Sequence, residues 1–273
     1  MSAENSPTQM QHTHVFIGGL HRSGTSLLAR CLAEHPQISG FSDTGATEDE
    51  GQHLQDVYHP ASRHGGPGRF GFHDLAFLDE TSPLITDENR RKLDEAWSPH
   101  WDMTRPILLE KSPPNIIRTR FLQALFPESR QIAVMRHPIA VACATQKWSW
   151  TSYTSLVEHW LICYERLEQD ALHLPHLHVL RYEDFVTSPD VRLADVHRYL
   201  GLEPRPSGLT VRTTINDAYF VRWSGNRWNP LKRYDVDRAV ERFEERVARF
   251  GYSMREPGRL ARPEVLATAG VED

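Results

Sequence analysis

The stretch HVFIGGLHRSGTSLLARCL, residues 14–32, decides the fold. It opens on a short apolar run, passes through a glycine-rich turn and then sets Leu27, Leu28, Cys31 and Leu32 on one helical face. A strand, a tight turn and a helix start make a site for a tetrahedral anion, because backbone N–H groups converge there. Gly19 and Gly24 have the spacing of the two glycines in GxxxxGK[ST], yet Thr25 stands where the lysine belongs. The amides of residues 23–26, the hydroxyls of Ser23, Thr25 and Ser26, and the charge of Arg22 still suit an anion. The terminal phosphates of a nucleoside triphosphate fit less well without that lysine.

Outward from this stretch, comparable apolar runs occur at Pro106–Leu109, Gln131–Met135 and His178–Tyr182. All are too short for ordinary helices and none alternates, which is how strands of a parallel sheet read when both faces are buried. Helical patterns lie between them: Ile116 to Leu125, Ser155 to Ala171, and Val236 to Phe250 with Gly251 as the stop. The order predicts an α/β fold, a P-loop-like doubly wound parallel sheet flanked by helices, with ligands at the carboxyl ends of the strands. Long functional loops are expected over 40–100 and 205–233. A single domain is expected over 13–255, with loose tails at 1–12 and 256–273.

Composition narrows the function classes. The 273 residues carry a net charge of −5, which argues against a nucleic-acid binder but leaves room for a local basic pocket. No run approaches the length of a membrane helix, and the polar N-terminus predicts no secretory leader. Cys31, Cys143 and Cys163 sit in apolar helical patterns and read as reduced core thiols of a cytoplasmic protein. His176 and His178 lack a carboxylate or thiolate at ligand spacing, so no metal is expected. The presumed strand ends read LLEKSPP and AVMRHP, placing Lys111 and Arg136 on the ligand edge, where cations suit a polyanion.

RSGTS after the first strand, LLEKSPPNIIRTRFLQALFPESRQIAVMRHP in the middle and LRYEDF after a later strand together resemble sulfotransferases. These enzymes use 3′-phosphoadenosine 5′-phosphosulfate (PAPS) and release 3′,5′-ADP (PAP). The likeness covers roughly residues 14–252 and is strongest to the tyrosylprotein and carbohydrate branch. It implies that Arg22, Ser23, Gly24, Thr25 and Ser26 hold the 5′-phosphosulfate and that Lys111 lies near the bridging oxygen. It further implies that Arg136 binds the 3′-phosphate and that Tyr182 lies near the adenine. A serine usual eight residues after that arginine is replaced by Ala144, which leaves Thr145 or a late-loop cation as second ligand.

Transfer to a hydroxyl needs a base within hydrogen-bond reach, with positioning and electrostatics supplying most of the remainder. In the tyrosylprotein branch the base is a glutamate beyond a His-Pro such as His35-Pro36; here Glu48 and Glu50 both qualify, with His53 a weaker choice. Three adjacent acids, Glu48 to Glu50, would raise one another's pKa if buried together. The late segment FVRWSGNRWNPLKR mixes tryptophans with Arg222, Arg227 and Lys232, suiting a flap over the nucleotide. GGPGRFGFHD, Trp97 and Trp101 are expected to line an acceptor pocket for a carbohydrate, small metabolite or peptide hydroxyl. A P-loop kinase and a catalytically silent nucleotide-binding protein are the competing readings.

Overall fold

A computed structural model describes residues 11–227 and 229–266. Strand β1, Thr13–Gly19, lies at the centre of the sheet because it is apolar on both sides; Val15 to Gly19 are all buried. The other strands are β2 (Ile38–Gly40), β3 (Ile107–Lys111), β4 (Arg130–Met135) and β5 (Leu177–Arg181). They form one parallel sheet in the order β2-β3-β1-β4-β5. Alternate side chains enter opposite cores, as the pleat requires. Val15 and Ile17 pack with Leu28, Leu32 and Phe185, whereas Phe16 packs with Trp97 and Phe126. A third core gathers Trp160, Tyr164, Phe243 and Phe250 against Ala133 and Met135. The three cysteines are free and buried, as expected of core residues.

The helices are α1 (Thr25–Ala33), α2 (Asp87–Trp97), α3 (Thr119–Leu125), α4 (Pro138–Thr145) and α5 (Tyr153–Ala171). They continue with α6 (Tyr182–Thr187), α7 (Pro189–Tyr199), α8 (Ile215–Arg227) and α9 (Pro230–Ala248). This is the P-loop-like doubly wound α/β fold that the strand–helix order predicts.

Several local expectations need correction. The 40–100 stretch holds β2 and α2 as well as 3₁₀ turns; in α2 only Leu93 and Trp97 are buried, so it shows almost no apolar periodicity. The pattern at Ile116 to Leu125 divides into a 3₁₀ segment, Pro113–Ile117, and α3, because Arg118 leaves helical geometry at φ −134°. The 205–233 loop is largely α8 and the start of α9. Of the expected tails, residues 1–10 and 267–273 lie outside the described residues. As far as 266 the C-terminal segment folds back, with Ala261 N donating to Gly251 O and Val265 and Leu266 packed on the third core. Among the described residues no helix is long and apolar enough to cross a membrane.

Candidate functional site

The β1–α1 turn builds an anion cradle. Ser23 N closes it by donating to Leu20 O at 2.9 Å, and Arg22 takes a left-handed φ of 72°. Gly24 has φ +103°, and a Cβ there would stand 2.5 Å from the Tyr182 ring, so both backbone and space demand glycine. The first α1 bond on this turn runs from Leu28 N to Gly24 O. Among the described residues nothing accepts from the amides of Gly24, Thr25, Ser26 or Leu27, the usual free donors of a helix start. Ser23 is wholly buried beneath the turn with its hydroxyl unpartnered, while Arg22, Gly24, Thr25 and Ser26 face a cleft of about 890 Å³. Such a volume is in the range of small-ligand sites, about 300–1,000 Å³.

Arg136 follows the end of β4 and lines the same cleft. Its Nη1 donates to Arg22 O at 2.7 Å, tying it to the turn. Nε and Nη2 both donate to Asn216 Oδ1, at 3.0 and 2.6 Å. The guanidinium lies 4.1 Å from the Tyr182 ring centre. Tyr182 opens α6 rather than closing β5, which turns its ring onto the cradle. Arg22 itself is exposed and rests over Trp148 at 4.7 Å.

Thr145 is not brought to the cleft. Every residue of α4 is buried, and Thr145 packs inward, its carbonyl accepting from Trp148 N at 2.9 Å. Asn216, from α8, is the side chain found on Arg136. In the late segment Arg222 donates to Cys143 O and Gln146 Oε1, and Trp223 is buried. The side chain of Arg227 and all of Trp228 lie outside the described residues. Among the described residues, the cation of this region that lines the cleft is Arg212, alongside Thr210, Ile215 and Tyr219. The mixed polar sequence around Arg212 contains no signal for that role.

The acidic stretch resolves into three environments. Asp49 turns back to accept from Thr44 N and Oγ1, at 2.8 and 2.7 Å. Glu48 is exposed, has φ 55°, and offers its carbonyl to Lys111 Nζ at 2.9 Å. Glu50 is buried, lines the cleft and meets Lys111 Nζ at 3.2 Å. Gln52 Nε2 also donates to it, and His53 Nε2 lies 3.9 Å away. Burial pushes the Glu50 carboxyl above its usual range, with the Lys111 charge opposing the shift; neighbouring acids are not the cause, contrary to expectation. His21, also on the cleft wall, is pushed down to about 4 by burial and by Lys111.

Lys111 and Glu110 point to opposite sides of β3. Glu110 is fully buried and pushed up to about 7 by that burial. It accepts from Gly51 N at 2.9 Å, Ser112 Oγ at 2.6 Å and Asn115 Nδ2 at 2.6 Å, fastening the turn that carries Glu50. Gly51 is forced, since a Cβ would sit 2.5 Å from Glu110 Cγ. Trp97 and Trp101 are core residues, donating to Gly51 O and Leu109 O, and do not line an acceptor pocket. Of GGPGRFGFHD, Pro67 lines the cleft and Phe70 is buried core. Among the described residues no group of His, Cys, Asp and Glu could hold a metal ion.

Residues 14–206 match the family model described as the sulfotransferase family. The chain is 29% identical over 260 residues to the nodulation protein NoeE of Sinorhizobium fredii, an alignment covering 83% of this chain. That alignment spans only 58% of the relative's own length. Among solved structures, the sulfotransferase domain of the Synechococcus PCC 7002 olefin synthase is 20% identical, with a TM-score of 0.48. A sulfotransferase from Alicyclobacillus acidocaldarius is 16% identical, with a TM-score of 0.47. Each superposition covers 87% of this chain and 96% of the other.

Proposed function

Because this chain belongs to the sulfotransferase family, we propose that it transfers a sulfuryl group from PAPS to a hydroxyl acceptor, with Glu50 as the base. The carrying observation is one cleft that gathers the free-amide turn, Arg136 and Glu50, whose partner Lys111 lines the adjoining pocket. In this reading the amides of Gly24 to Leu27 hold the 5′-phosphosulfate and Arg136 holds the 3′-phosphate, with the Tyr182 ring flanking the nucleotide. Thr25 and Ser26 add hydroxyls at the cradle, and Arg22 and Lys111 face the charge that develops on the sulfuryl and bridging oxygens.

The transfer is in line. The acceptor oxygen bonds to sulfur while the bridging sulfur–oxygen bond breaks; its proton passes to Glu50 and the electron pair leaves with 3′,5′-ADP. Burial that raises the Glu50 pKa brings it nearer neutrality, where a general base works best. Glu48, exposed and bound through its carbonyl, suits the role less well. A carbohydrate or small-metabolite hydroxyl would lie on the side of His21, His53 and Ser62, where the wall is polar. The free, buried cysteines fit a cytoplasmic enzyme.

Thermal shift with 3′,5′-ADP against ATP–magnesium tests this reading. A ligand at about 100 times its dissociation constant adds roughly 2.7 kcal/mol, a rise in Tm of roughly 5–10 °C for a chain this size. Stabilisation by ATP–magnesium and not by 3′,5′-ADP overturns the proposal. Transfer of label from ³⁵S-PAPS to a panel of sugars and small alcohols then identifies the acceptor.

A further inference from the structure

We propose that Asn216 is a positioning residue that sets the cleft's preference for a 3′-phosphate by holding the Arg136 guanidinium in one orientation. The inference rests on the donor reading above. Two nitrogens of Arg136 converge on a single oxygen, Asn216 Oδ1, at 3.0 and 2.6 Å. A guanidinium offers five N–H donors and no acceptor, so the amide oxygen must face it. At the other end, Asn216 Nδ2 donates to Glu183 Oε1 at 2.7 Å. That same oxygen accepts the main-chain N–H of His137 at 3.0 Å, so it must meet a donor on Asn216. Both ends of the amide are specified, and it cannot flip without breaking both contacts.

Glu183 is fixed in turn by the Tyr252 hydroxyl, which donates to Oε2 at 3.0 Å. Tyr252, Glu183 and Asn216 are 2%, 9% and 7% exposed, so the chain of contacts runs from the core to the cleft wall. Tyr182 and Tyr219 confine the guanidinium at 4.1 and 5.6 Å from their ring centres. With Nη1 also bound to Arg22 O, one N–H on each terminal nitrogen is left for a ligand. Those two N–H groups are the donors left to meet the oxygens of a phosphate. Asn216 also sits one residue past Ile215, which lines the cleft, so its bond to Glu183 anchors that wall.

Calorimetric titration of 3′,5′-ADP and 5′-AMP into the wild type, Asn216→Ala and Asn216→Leu is the test. The leucine variant keeps nearly the same volume and guards against a misfolded alanine variant; a melting curve accompanies each. The wild type should prefer 3′,5′-ADP, and both variants should lose about tenfold or more in affinity for it, as hydrogen bonds to charged groups predict. Affinity for 5′-AMP should stay close to wild type, so the preference collapses. Equal weakening of both nucleotides, or an undiminished preference in both Asn216 variants, overturns the proposal. A wild type with no preference for 3′,5′-ADP is a different result, and it removes the donor reading itself.

Discussion

Glutamine at position 50 is the sharpest probe of the cleft. Glu50 accepts from Lys111 Nζ through Oε1 and from Gln52 Nε2 through Oε2. The Gln52 amide cannot turn over, because its Oε1 accepts Ala61 N at 2.8 Å. In Glu50→Gln the new NH₂ therefore faces a donor, Lys111 or Gln52, and one buried donor goes unpaired. That costs about 1–3 kcal/mol, a fall in Tm of roughly 2–10 °C, and leaves the protein folded. The effect on turnover is larger, since a positioned general base contributes about 10²–10⁴ in rate. Label transfer from ³⁵S-PAPS should fall by that factor, while the affinity for 3′,5′-ADP, read by titration, stays near wild type. The pH profile gives the second readout. A base must be deprotonated, and burial raises the Glu50 pKa above the carboxyl's ordinary 4.5. Wild-type kcat should thus climb with pH along a limb placed above 4.5, and the variant should lose that limb. Full turnover in Glu50→Gln with loss in Glu48→Gln refutes the reasoning.

Glu110 makes stability depend on pH. Its folded pKa of about 7 lies above the ordinary 4.5, so its contribution is complete below 4.5 and is lost as pH rises through 7. Urea unfolding at pH 5 and pH 8 should differ by roughly 2–3 kcal/mol from this group, and Glu110→Gln should remove that difference. Gly24→Ala meets both a positive φ and the Tyr182 ring, so it should lower stability by about 1–3 kcal/mol and weaken 3′,5′-ADP binding in titration. Thr145→Ala should leave 3′,5′-ADP affinity unchanged in the same titration, because Thr145 is buried away from the cleft wall.

The β1–turn–α1 unit was readable because its signals are local: an apolar strand, glycines at fixed spacing and one helical face. Lys111 and Arg136 were readable for the same reason, as cations closing apolar runs. Features that depend on distant partners were not. Strand β2 has three residues, too few for any period, and exists because Ile107 pairs beside Ile38. Asn216 stands 80 residues from Arg136, and nothing around it marks it as the partner. The choice between Glu48 and Glu50 turns on backbone angles and on which side chain lies buried, and two glutamates flanking Asp49 carry neither in the sequence. Thr145 failed as a candidate because a helix buried on every side offers no periodic stripe to orient it.

The central position of β1 has a kinetic consequence. Its first partner along the chain is Ile107, 94 residues beyond Thr13, and its other neighbour begins at Arg130. At a synthesis rate of about 5–20 residues per second, β1 waits roughly 6–23 s before β4 exists to flank it. Pairings that span such long stretches close slowly, since loop entropy must be met before the contacts form. The central strand thus stays unpaired through a long stretch of synthesis. Growth temperature and chaperone supply during that interval will therefore affect the yield of folded protein.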